Sequence, residues 1–303
     1  MTDEPHRTAP GCLFSVVTRT MGNRVFLERV LASLGRAALA NTQWVLVDDA
    51  GDSDAALTQV LSAARDYPGL RPVRVRSGAR HRAKALNAGL AVVGGRFVHV
   101  LDDDDTVDAD FYAAVAEEFE RAPGTAAVAV RATMVEETID AGGTIREIRR
   151  TPHFPEIQAI PISTMLNQQV VPLCSVVFRA EAMRDVGPFA PDLPVCEDHE
   201  FLLRFLLRYD IALLDRLLMA FHVRPEGGDP RFANSDSSRR HAAVDAAFRN
   251  ALLRRSLADP SDPLGMLLLW GDLTRGAAKF DRATRLLGKN RIWSAFYRLV
   301  RRG

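Results

Sequence analysis

The chain has few cysteines, few lysines and no long apolar run, and each shortage excludes a class of protein. Its three cysteines, Cys12, Cys174 and Cys196, are odd in number and form no CxxC pair. This argues against a disulfide framework or a zinc ribbon and favours a reducing compartment. The longest apolar stretches, such as 266–270, are far shorter than a membrane span, and the first residues contain no apolar signal core. We therefore expect a cytoplasmic protein.

The chain also lacks an excess of either charge. Its 39 Lys and Arg residues nearly balance 38 Asp and Glu residues and leave a net charge of +1, which gives no general indication of nucleic-acid binding. The composition, 47% hydrophobic and 25% charged, is that of a globular protein with a sizeable core. A length of 303 residues allows one large α/β domain or two modest ones.

Short apolar strands alternate with helical patterns over the first part of the chain. The strands are predicted at 13–18, 44–49, 71–75 and 96–105, and the helices at about 23–36, 54–65, 81–93 and 108–121. Continuous apolar strands separated by helices predict a mainly parallel sheet that is covered on both faces. Ligands of such sheets bind beyond the carboxyl ends of the strands.

The second part of the chain follows a different pattern. Strands at about 126–139 and 144–150, joined by a turn at 140–143, predict an inserted hairpin, and a strand at 174–179 and a helix at 196–209 follow. We then expect a pair of strands at about 211–214 and 217–223 and a loop marked by Gly227, Gly228 and Pro230. From 237 onward the pattern is helical only, with breaks at Asp259-Pro260 and Asp262-Pro263.

Four adjacent aspartates, Asp102, Asp103, Asp104 and Asp105, follow the apolar run FVHVL of the fourth predicted strand. Adjacent carboxylates beside a buried strand repel one another unless they are screened, and a bound divalent cation would relieve that repulsion. Oxygen ligands of this kind suit Mg²⁺ or Mn²⁺. The alternative is a solvated acidic turn at the start of a helix.

Two further clusters favour a ligand site over a solvated turn. Asp48 and Asp49 end a neighbouring strand, where acidic side chains can bind ribose hydroxyls or a base. Basic side chains at the start of the third helix could contact a base or a diphosphate, and they are Arg80, His81, Arg82 and Lys84. Together these residues predict a nucleotide site at one edge of the sheet.

Four segments resemble the inverting family 2 glycosyltransferases with the GT-A fold. They are SVVTRTMGNRVFLERVLASL, WVLVDDAGDSD, KALNAGLAVVGGRFVHVLDDDD and CSVVFRAEAMRDVGPFAPDLPVCEDHEFLLRF, and they cover roughly residues 14–223. The resemblance implies a GT-A fold, which is an α/β fold with a mainly parallel, Rossmann-like sheet flanked by helices. It also implies transfer of a sugar from a nucleoside diphosphate sugar, of the UDP or dTDP type, to a hydroxyl acceptor.

The resemblance assigns roles by position. Thr18, Asp49 and Arg80 would face the nucleoside. Asp102-x-Asp104 would be the DxD motif, in which Asp104 binds Mn²⁺ or Mg²⁺ while Asp102 and Asp103 hold the ribose or support the metal. His222 is a candidate for a further metal ligand, the alternative being a structural histidine.

The same resemblance makes Asp198 the general base, which removes the proton of the acceptor hydroxyl. The sequence departs from the family pattern at Arg19, where many members have tyrosine, and at Ala109, where proline is usual. Neither position touches the expected chemistry.

Two other functions fit parts of the sequence. VHVLDDDDTV also matches the motif of phosphoaspartate phosphatases, with Asp102 as nucleophile and Asp104 as acid/base, although that motif normally belongs to the first strand. A nucleotide-sugar binding protein without turnover is the second alternative. Dinucleotide binding is disfavoured, because the turn after the first strand lacks GxGxxG.

The domain organisation follows from these patterns. We expect a disordered start at 1–10, a GT-A domain at 11–235 with a nucleotide-sugar half at 11–105 and an acceptor half at 106–235, and a helical extension at 236–303. From Gly271 onward the sequence contains nine Lys or Arg residues and only two acids, and its apolar residues recur at helical spacing. Such a tail predicts contact with the cytoplasmic face of a membrane, near a lipid-linked acceptor, or packing against the domain or a second copy.

Overall fold

The structure is a computed structural model that describes residues 13–51, 54–193, 196–224, 232 and 238–273. The predicted disordered start, the loop at Gly227 and Gly228, and the basic tail beyond 273 lie outside the described residues. Among the described residues, no helix is both long and apolar enough to cross a membrane.

The predicted alternation of strands and helices in the first part of the chain is confirmed. Four parallel strands lie in the order β3, β2, β1, β4. Asn23 begins the first helix, because its side chain accepts a hydrogen bond of 3.1 Å from the Val25 amide. The elements are β1 (Phe14–Thr20), α1 (Arg24–Ala37), β2 (Thr42–Asp48), α2 (Asp54–Ala64), β3 (Leu70–Arg76), α3 (Arg82–Leu90) and β4 (Phe97–Val100).

The second part continues the same sheet with mixed strand directions. Beyond β4 the order is β8, β6, β9, β5, and β7 pairs antiparallel with the outer half of β6. The elements are β5 (Thr106–Val107), α4 (Phe111–Arg121), β6 (Ala127–Ile139), β7 (Ile145–Pro152), α5 (Ile162–Asn167), β8 (Val176–Arg179), α6 (Ala180–Val186), α7 (Glu197–Leu206) and β9 (Ile211–Val223). The predicted hairpin is therefore confirmed as β6 and β7.

The predicted pair of strands after residue 210 is wrong, because the structure has one continuous strand, β9. Asp215 and Arg216 interrupt its pattern in the sequence, but they form a bulge opposite Arg131, where the register with β6 shifts. The Arg131 guanidinium forms an ion pair with Asp215, which links the bulge of β9 to β6.

Both faces of the sheet are covered by apolar packing. Val17, Val45 and Val47 face α3 on one side, and Phe14, Val16 and Leu46 belong to the cluster on the other side. A glycine is required at position 89 in α3, since a Cβ there would lie 2.6 Å from Val17 and 2.7 Å from Val47. This close approach lets α3 lie directly on the strands whose ends form the site.

The helical character predicted after residue 237 is present in α8 (Ser238–Ala258) and in a further helix, α9, over 264–273. The break predicted between them is confirmed. Asp262 starts α9, since its carboxylate accepts a hydrogen bond of 3.2 Å from the Leu264 amide. Both helices pack on the same core as Phe201 of α7, through Phe248, Leu252, Leu264 and Leu268.

Candidate functional site

A cleft of about 450 Å³ opens at the carboxyl end of β1 and β4. Its lining includes the end of β1 with Arg19, the turn after β4, the start of α7, and the end of β9. This is the edge of the sheet where the sequence predicted ligand binding. We call the turn formed by Asp102, Asp103, Asp104 and Asp105 the acidic turn.

The acidic turn joins β4 to β5 and is held by contacts with three other elements. Thr20, at the end of β1, donates a hydrogen bond to Asp103. The His222 amide donates to Oδ1 of Asp105 at 3.0 Å, and the Arg82 guanidinium lies 3.4 Å from Oδ2 of Asp102. The turn is thus fixed by β1, α3 and β9 together.

The surrounding protein disfavours the ionised forms of three carboxylates in the acidic turn, those of Asp102, Asp103 and Asp105. Burial and the neighbouring carboxylate of Asp104 raise the pKa of Asp103 to about 7. Burial also raises the pKa of Asp102, with Asp104 adding to the effect, and raises the pKa of Asp105 well above its usual range. A cation placed among these oxygens would favour their ionised forms.

The donor set of the acidic turn fits Mg²⁺ or Mn²⁺. Within the part of the chain that the structure describes, no three His, Cys, Asp or Glu side chains already form a metal-binding group. Mg²⁺ needs no such group, since it is commonly held by one or two carboxylates together with water and substrate phosphates. Asp102 and Asp104 both line the cleft and could supply those carboxylates.

A buried ionic network lies behind the acidic turn, and the sequence does not predict it. Glu137 of β6 is 2% exposed and accepts from Arg29 at 2.7 Å, from Arg224 at 2.7 Å and from His222 at 2.9 Å. Although burial opposes its ionisation, the hydrogen bonds from His222 and Arg29 bring the pKa of Glu137 down to about 2. Arg224 also forms an ion pair with Asp104, which links the network to the cleft.

One signal could have located Glu137. In β6 it occupies the position between Val135 and Ile139 on the buried side of the strand. A carboxylate in the apolar row of a strand needs a cationic partner, since a buried unpaired charge is very costly. The sequence does not give that partner, because Arg224 is distant in the chain.

His222, predicted as a metal ligand, lies at the end of β9 and lines the cleft. Both of its ring nitrogens have protein partners: Nδ1 lies 2.9 Å from Oε2 of Glu137, and Nε2 lies 3.0 Å from Oγ1 of Thr106. Binding a metal through this ring would therefore require the loss of one of these contacts. In the structure the side chain ties β9 to β5 and β6.

Asp198 lies in the first turn of α7 and lines the same cleft as the acidic turn. Cys196, in the left-handed conformation with φ of 62°, turns the chain into the helix. The neighbouring carboxylate of Glu197 is ion-paired with Arg82 at 2.7 Å, whereas Asp198 accepts a hydrogen bond of 3.0 Å from the Gln169 amide. The two acids thus have different environments.

The three residues predicted to face the nucleoside are placed differently from one another. The Thr18 side chain is fully buried and accepts a hydrogen bond of 3.0 Å from the Trp44 indole, so the structure does not bring it into the cleft. Asp49 is also fully buried, and it forms an ion pair of 2.9 Å with Arg19. Arg19 itself lines the cleft, contrary to the expectation that this position does not touch the chemistry. Exposed Arg80 adjoins Asp49, whose carbonyl accepts from its amide at 3.2 Å.

Residues 15–186, more than half of the chain, match Glycosyl transferase family 2. The chain belongs to this family. Among curated relatives, the O-antigen biosynthesis protein RfbC of Myxococcus xanthus is 28% identical over 193 residues, which are 63% of this chain and 14% of that protein. The uncharacterized protein y4gI of Sinorhizobium fredii is 26% identical over 206 residues, 67% of this chain and 21% of that protein. The family 2 chain thus spans less than a quarter of each relative's length.

Solved structures show the fold of this family 2 chain. The mannosyltransferase PcManGT from Pyrobaculum calidifontis, in complex with GDP-Man and Mn²⁺, has a TM-score of 0.56 at 15% identity and covers 93% of this chain and 82% of that one. TarS 1-349 of S. aureus, in complex with UDP-GlcNAc, has a TM-score of 0.54 at 17% identity over 80% of this chain and 66% of that one. The predicted GT-A fold is confirmed.

Proposed function

We propose that this protein transfers a sugar from a nucleoside diphosphate sugar to an acceptor hydroxyl, with inversion at the anomeric carbon and with Asp198 as the general base. The observation that carries this proposal is that Asp198 lines the same cleft as Asp102 and Asp104. A base for the acceptor and oxygens for the donor's metal are therefore available in one cavity. Family membership and the fold support the same reaction class.

On the donor side, the acidic turn would hold Mn²⁺ or Mg²⁺ through Asp104, with Asp102 and Asp103 supporting the metal or the ribose. When bound, the cation supplies positive charge that stabilises the departing diphosphate. Asp49 and Arg80, together with Arg19, would bind the nucleoside at the ends of β1 and β2. Structural neighbours solved with UDP-GlcNAc and with GDP-Man and Mn²⁺ support a donor of this class, and we retain UDP or dTDP as the nucleotide.

On the acceptor side, Asp198 would take the proton of the acceptor hydroxyl. The hydroxyl oxygen would attack the anomeric carbon from the face opposite the diphosphate. A single displacement of this kind inverts the configuration. Asp198 suits the task better than Glu197, because the Glu197 carboxylate is already ion-paired with Arg82 at 2.7 Å. Gln169 orients Asp198 through its hydrogen bond of 3.0 Å.

The remaining assignments follow from the same site. The phosphatase alternative would need Asp102 as a nucleophile in a fold whose matched family is a transferase family, and a binding protein without turnover would leave the placement of Asp198 in the cleft unexplained.

His222 stays a candidate ligand only if the ring exchanges a partner on metal binding. Free thiols at Cys174 and Cys196 fit the reducing cytoplasm that we propose as its location.

The test separates donor binding from chemistry. Thermal shifts with UDP, dTDP and GDP sugars, with and without Mn²⁺, identify the donor, and transfer or slow hydrolysis of that donor is then measured. Asp198→Asn should keep the donor-induced shift and lower turnover by about 10²-fold or more. Asp192→Asn, an exposed aspartate shortly before α7, is the matched control and should behave as wild type. Near-normal turnover in Asp198→Asn would remove this residue from the mechanism.

A further inference from the structure

The side chain of Arg82 joins the two sides of the cleft. Its Nε lies 2.7 Å from Oε1 of Glu197 in the first turn of α7, and its Nη2 lies 3.4 Å from Oδ2 of Asp102 in the acidic turn. All three side chains line the cleft. A guanidinium is planar and carries donors on separate edges, so one arginine can pair with carboxylates of two different elements. The acidic turn and the start of α7 are thus linked through one side chain.

The helix that carries Arg82 is a rigid support. Arg82 is the first residue of α3, and Ala83 and Leu86 behind it are buried in the core. Asn87 of the same helix makes hydrogen bonds of 2.9 Å with both backbone groups of Phe189, in the segment that precedes α7. The helix α3 therefore holds Arg82 in a fixed place relative to both the sheet and α7.

The two ion pairs of Arg82 differ in strength. The Glu197 side chain is 3% exposed, and within the described part of the chain Arg82 is its only cationic partner, which a buried carboxylate requires. The Asp102 side chain is 35% exposed, and its contact with Arg82 is longer. The carboxylate of Asp102 raises the pKa of Arg82 and, although burial opposes it, so does that of Glu197. The guanidinium is therefore anchored on α7 and acts on the acidic turn.

The transfer reaction proposed above requires these two elements at a fixed separation. The donor would be held at the acidic turn, and Asp198, next to Glu197 in α7, would take the proton of the acceptor. A misplacement of reacting groups by about 1 Å can cost about 100-fold in rate. A link between the two elements therefore matters for transfer rather than for donor binding.

We propose that Arg82 is a positioning residue of the transfer reaction, and that it holds the start of α7 at the distance from the acidic turn that places Asp198 against the anomeric carbon. This role rests on the proposed function. It differs from a contact between α3 and the base or diphosphate, because both partners of Arg82 are carboxylates of the protein itself. As a cation beside Asp102, Arg82 also opposes the binding of a metal there.

The first test separates donor binding from transfer in Arg82→Ala. At saturating Mn²⁺ we expect unchanged affinity for the donor selected by thermal shift, and a kcat for transfer that is lower by about tenfold or more. The ratio of transfer to donor hydrolysis should also fall, because water reaches the anomeric carbon without a bound acceptor that must be aligned with the base. Arg208→Ala is the control and should behave as wild type, since its side chain is 53% exposed and pairs with Asp185.

A second variant guards against a defect in folding. Arg82→Ala leaves the buried Glu197 carboxylate without its cation, so Arg82→Lys is measured beside it. Lysine keeps one positive charge for Glu197 but lacks the second edge that reaches Asp102. We expect Arg82→Lys to have a melting temperature close to that of wild type and the same low ratio of transfer to hydrolysis as Arg82→Ala.

A further readout requires no activity. Because Arg82 places positive charge beside Asp102, Arg82→Ala should bind Mn²⁺ about two- to threefold more tightly than wild type. Electron paramagnetic resonance measures the free Mn²⁺ in the presence of UDP, dTDP or GDP, whichever gives the largest thermal shift. A merely structural defect would weaken Mn²⁺ binding, so tighter binding together with slower transfer is specific to the proposed role.

Three outcomes would overturn the proposal. Weaker donor binding by Arg82→Ala at saturating Mn²⁺ would place the guanidinium on the diphosphate. A wild-type ratio of transfer to hydrolysis in either variant would show that the link does not align the base. Unchanged or weaker Mn²⁺ binding would show that Arg82 does not act on the acidic turn. A wild-type protein that transfers no sugar from any of the donors would instead contradict the proposed function, and the Mn²⁺ measurement would then decide the link by itself.

Discussion

Gln169 donates a hydrogen bond of 3.0 Å from Nε2 to Oδ2 of Asp198, and this contact joins the segment after α5 to the first turn of α7. An amide donor favours the ionised form of a carboxylate without supplying a full positive charge. It can therefore orient a base without pairing it with a cation, as Arg82 is paired with Glu197.

The first prediction concerns this positioning. Gln169→Leu removes the donor, and with it the hydrogen bond that orients the Asp198 carboxylate. We expect kcat to fall by about tenfold, within the range for a misplaced general base, and KM for the donor to stay unchanged. Asn167→Leu, a nearby amide that bonds the Ser163 carbonyl instead, is the control. A normal kcat in Gln169→Leu would remove its positioning role.

The second prediction concerns the metal. Asp104→Asn should lower Mn²⁺ affinity in the presence of the donor nucleotide by at least about tenfold, because such sites use only one or two carboxylates. The free Mn²⁺ signal in electron paramagnetic resonance measures this directly. Asp110→Asn, whose side chain is 69% exposed and pairs with Arg216, should leave the affinity unchanged. Equal affinities in wild type and Asp104→Asn would show that this carboxylate is not a ligand.

The third prediction concerns the buried network behind the cleft. Arg224 is 5% exposed and Glu137 is 2% exposed, so Arg224→Gln leaves a buried carboxylate with less positive charge around it. We expect a loss of about 2 to 3 kcal/mol in the free energy of unfolding, below the usual cost of breaking a buried pair because Arg29 still contacts Glu137. Arg216→Gln, which breaks an exposed pair, should cost less than about 1 kcal/mol. Urea denaturation at neutral pH compares the two, and equal losses would contradict the buried network.

The parts of the fold that the sequence predicts well are those with local causes. Parallel strands buried on both faces are continuous apolar runs, and the helices between them show one apolar face, so β1 to β4 and α1 to α4 can be located from spacing alone. The acidic turn is predicted for the same reason, because it directly follows one of these strands. Its position in the cleft follows from the rule that parallel strands end at one edge of the sheet.

What the sequence does not predict depends on contacts between distant residues. Glu137 meets Arg224 across 87 positions, and only the pairing of β6 with β9 brings them together. The resemblance predicts that Thr18 faces the nucleoside, and the sequence does not show that its hydroxyl accepts a hydrogen bond from the Trp44 indole, 26 positions away. The bulge at Asp215 resembles a turn in the sequence, because its partner Arg131 lies in another strand.

The fourth prediction concerns Asn87, an asparagine of the segment that resembles the family motif. Its side chain makes two hydrogen bonds of 2.9 Å with the backbone of Phe189, one as donor to the carbonyl and one as acceptor from the amide. Asn87→Leu would leave both backbone groups without these partners. We expect the free energy of unfolding to fall by about 2 kcal/mol, with kcat per folded molecule unchanged. A normal melting temperature with a lower kcat would instead place Asn87 in the reaction.

The last prediction concerns stability in acid. His99 is fully buried in β4, where Nε2 donates to the Cys174 carbonyl at 2.8 Å and Nδ1 accepts from the Tyr112 hydroxyl at 2.9 Å. These partners satisfy a neutral ring. Burial lowers the pKa of His99 from 6.5 to about 4.

Between pH 6.5 and pH 4, His99 is therefore protonated in the unfolded chain but neutral in the folded chain. Because protonation stabilises the unfolded state, the free energy of unfolding falls as the pH drops toward 4. At pH 5 this single group should account for about 2 kcal/mol of the loss. His99→Gln keeps a donor and an acceptor but cannot titrate, so its stability should fall by about 2 kcal/mol less than that of wild type between pH 7.5 and pH 5. Urea denaturation at the two pH values measures the difference, and a parallel loss in both proteins would show that His99 does not carry the effect.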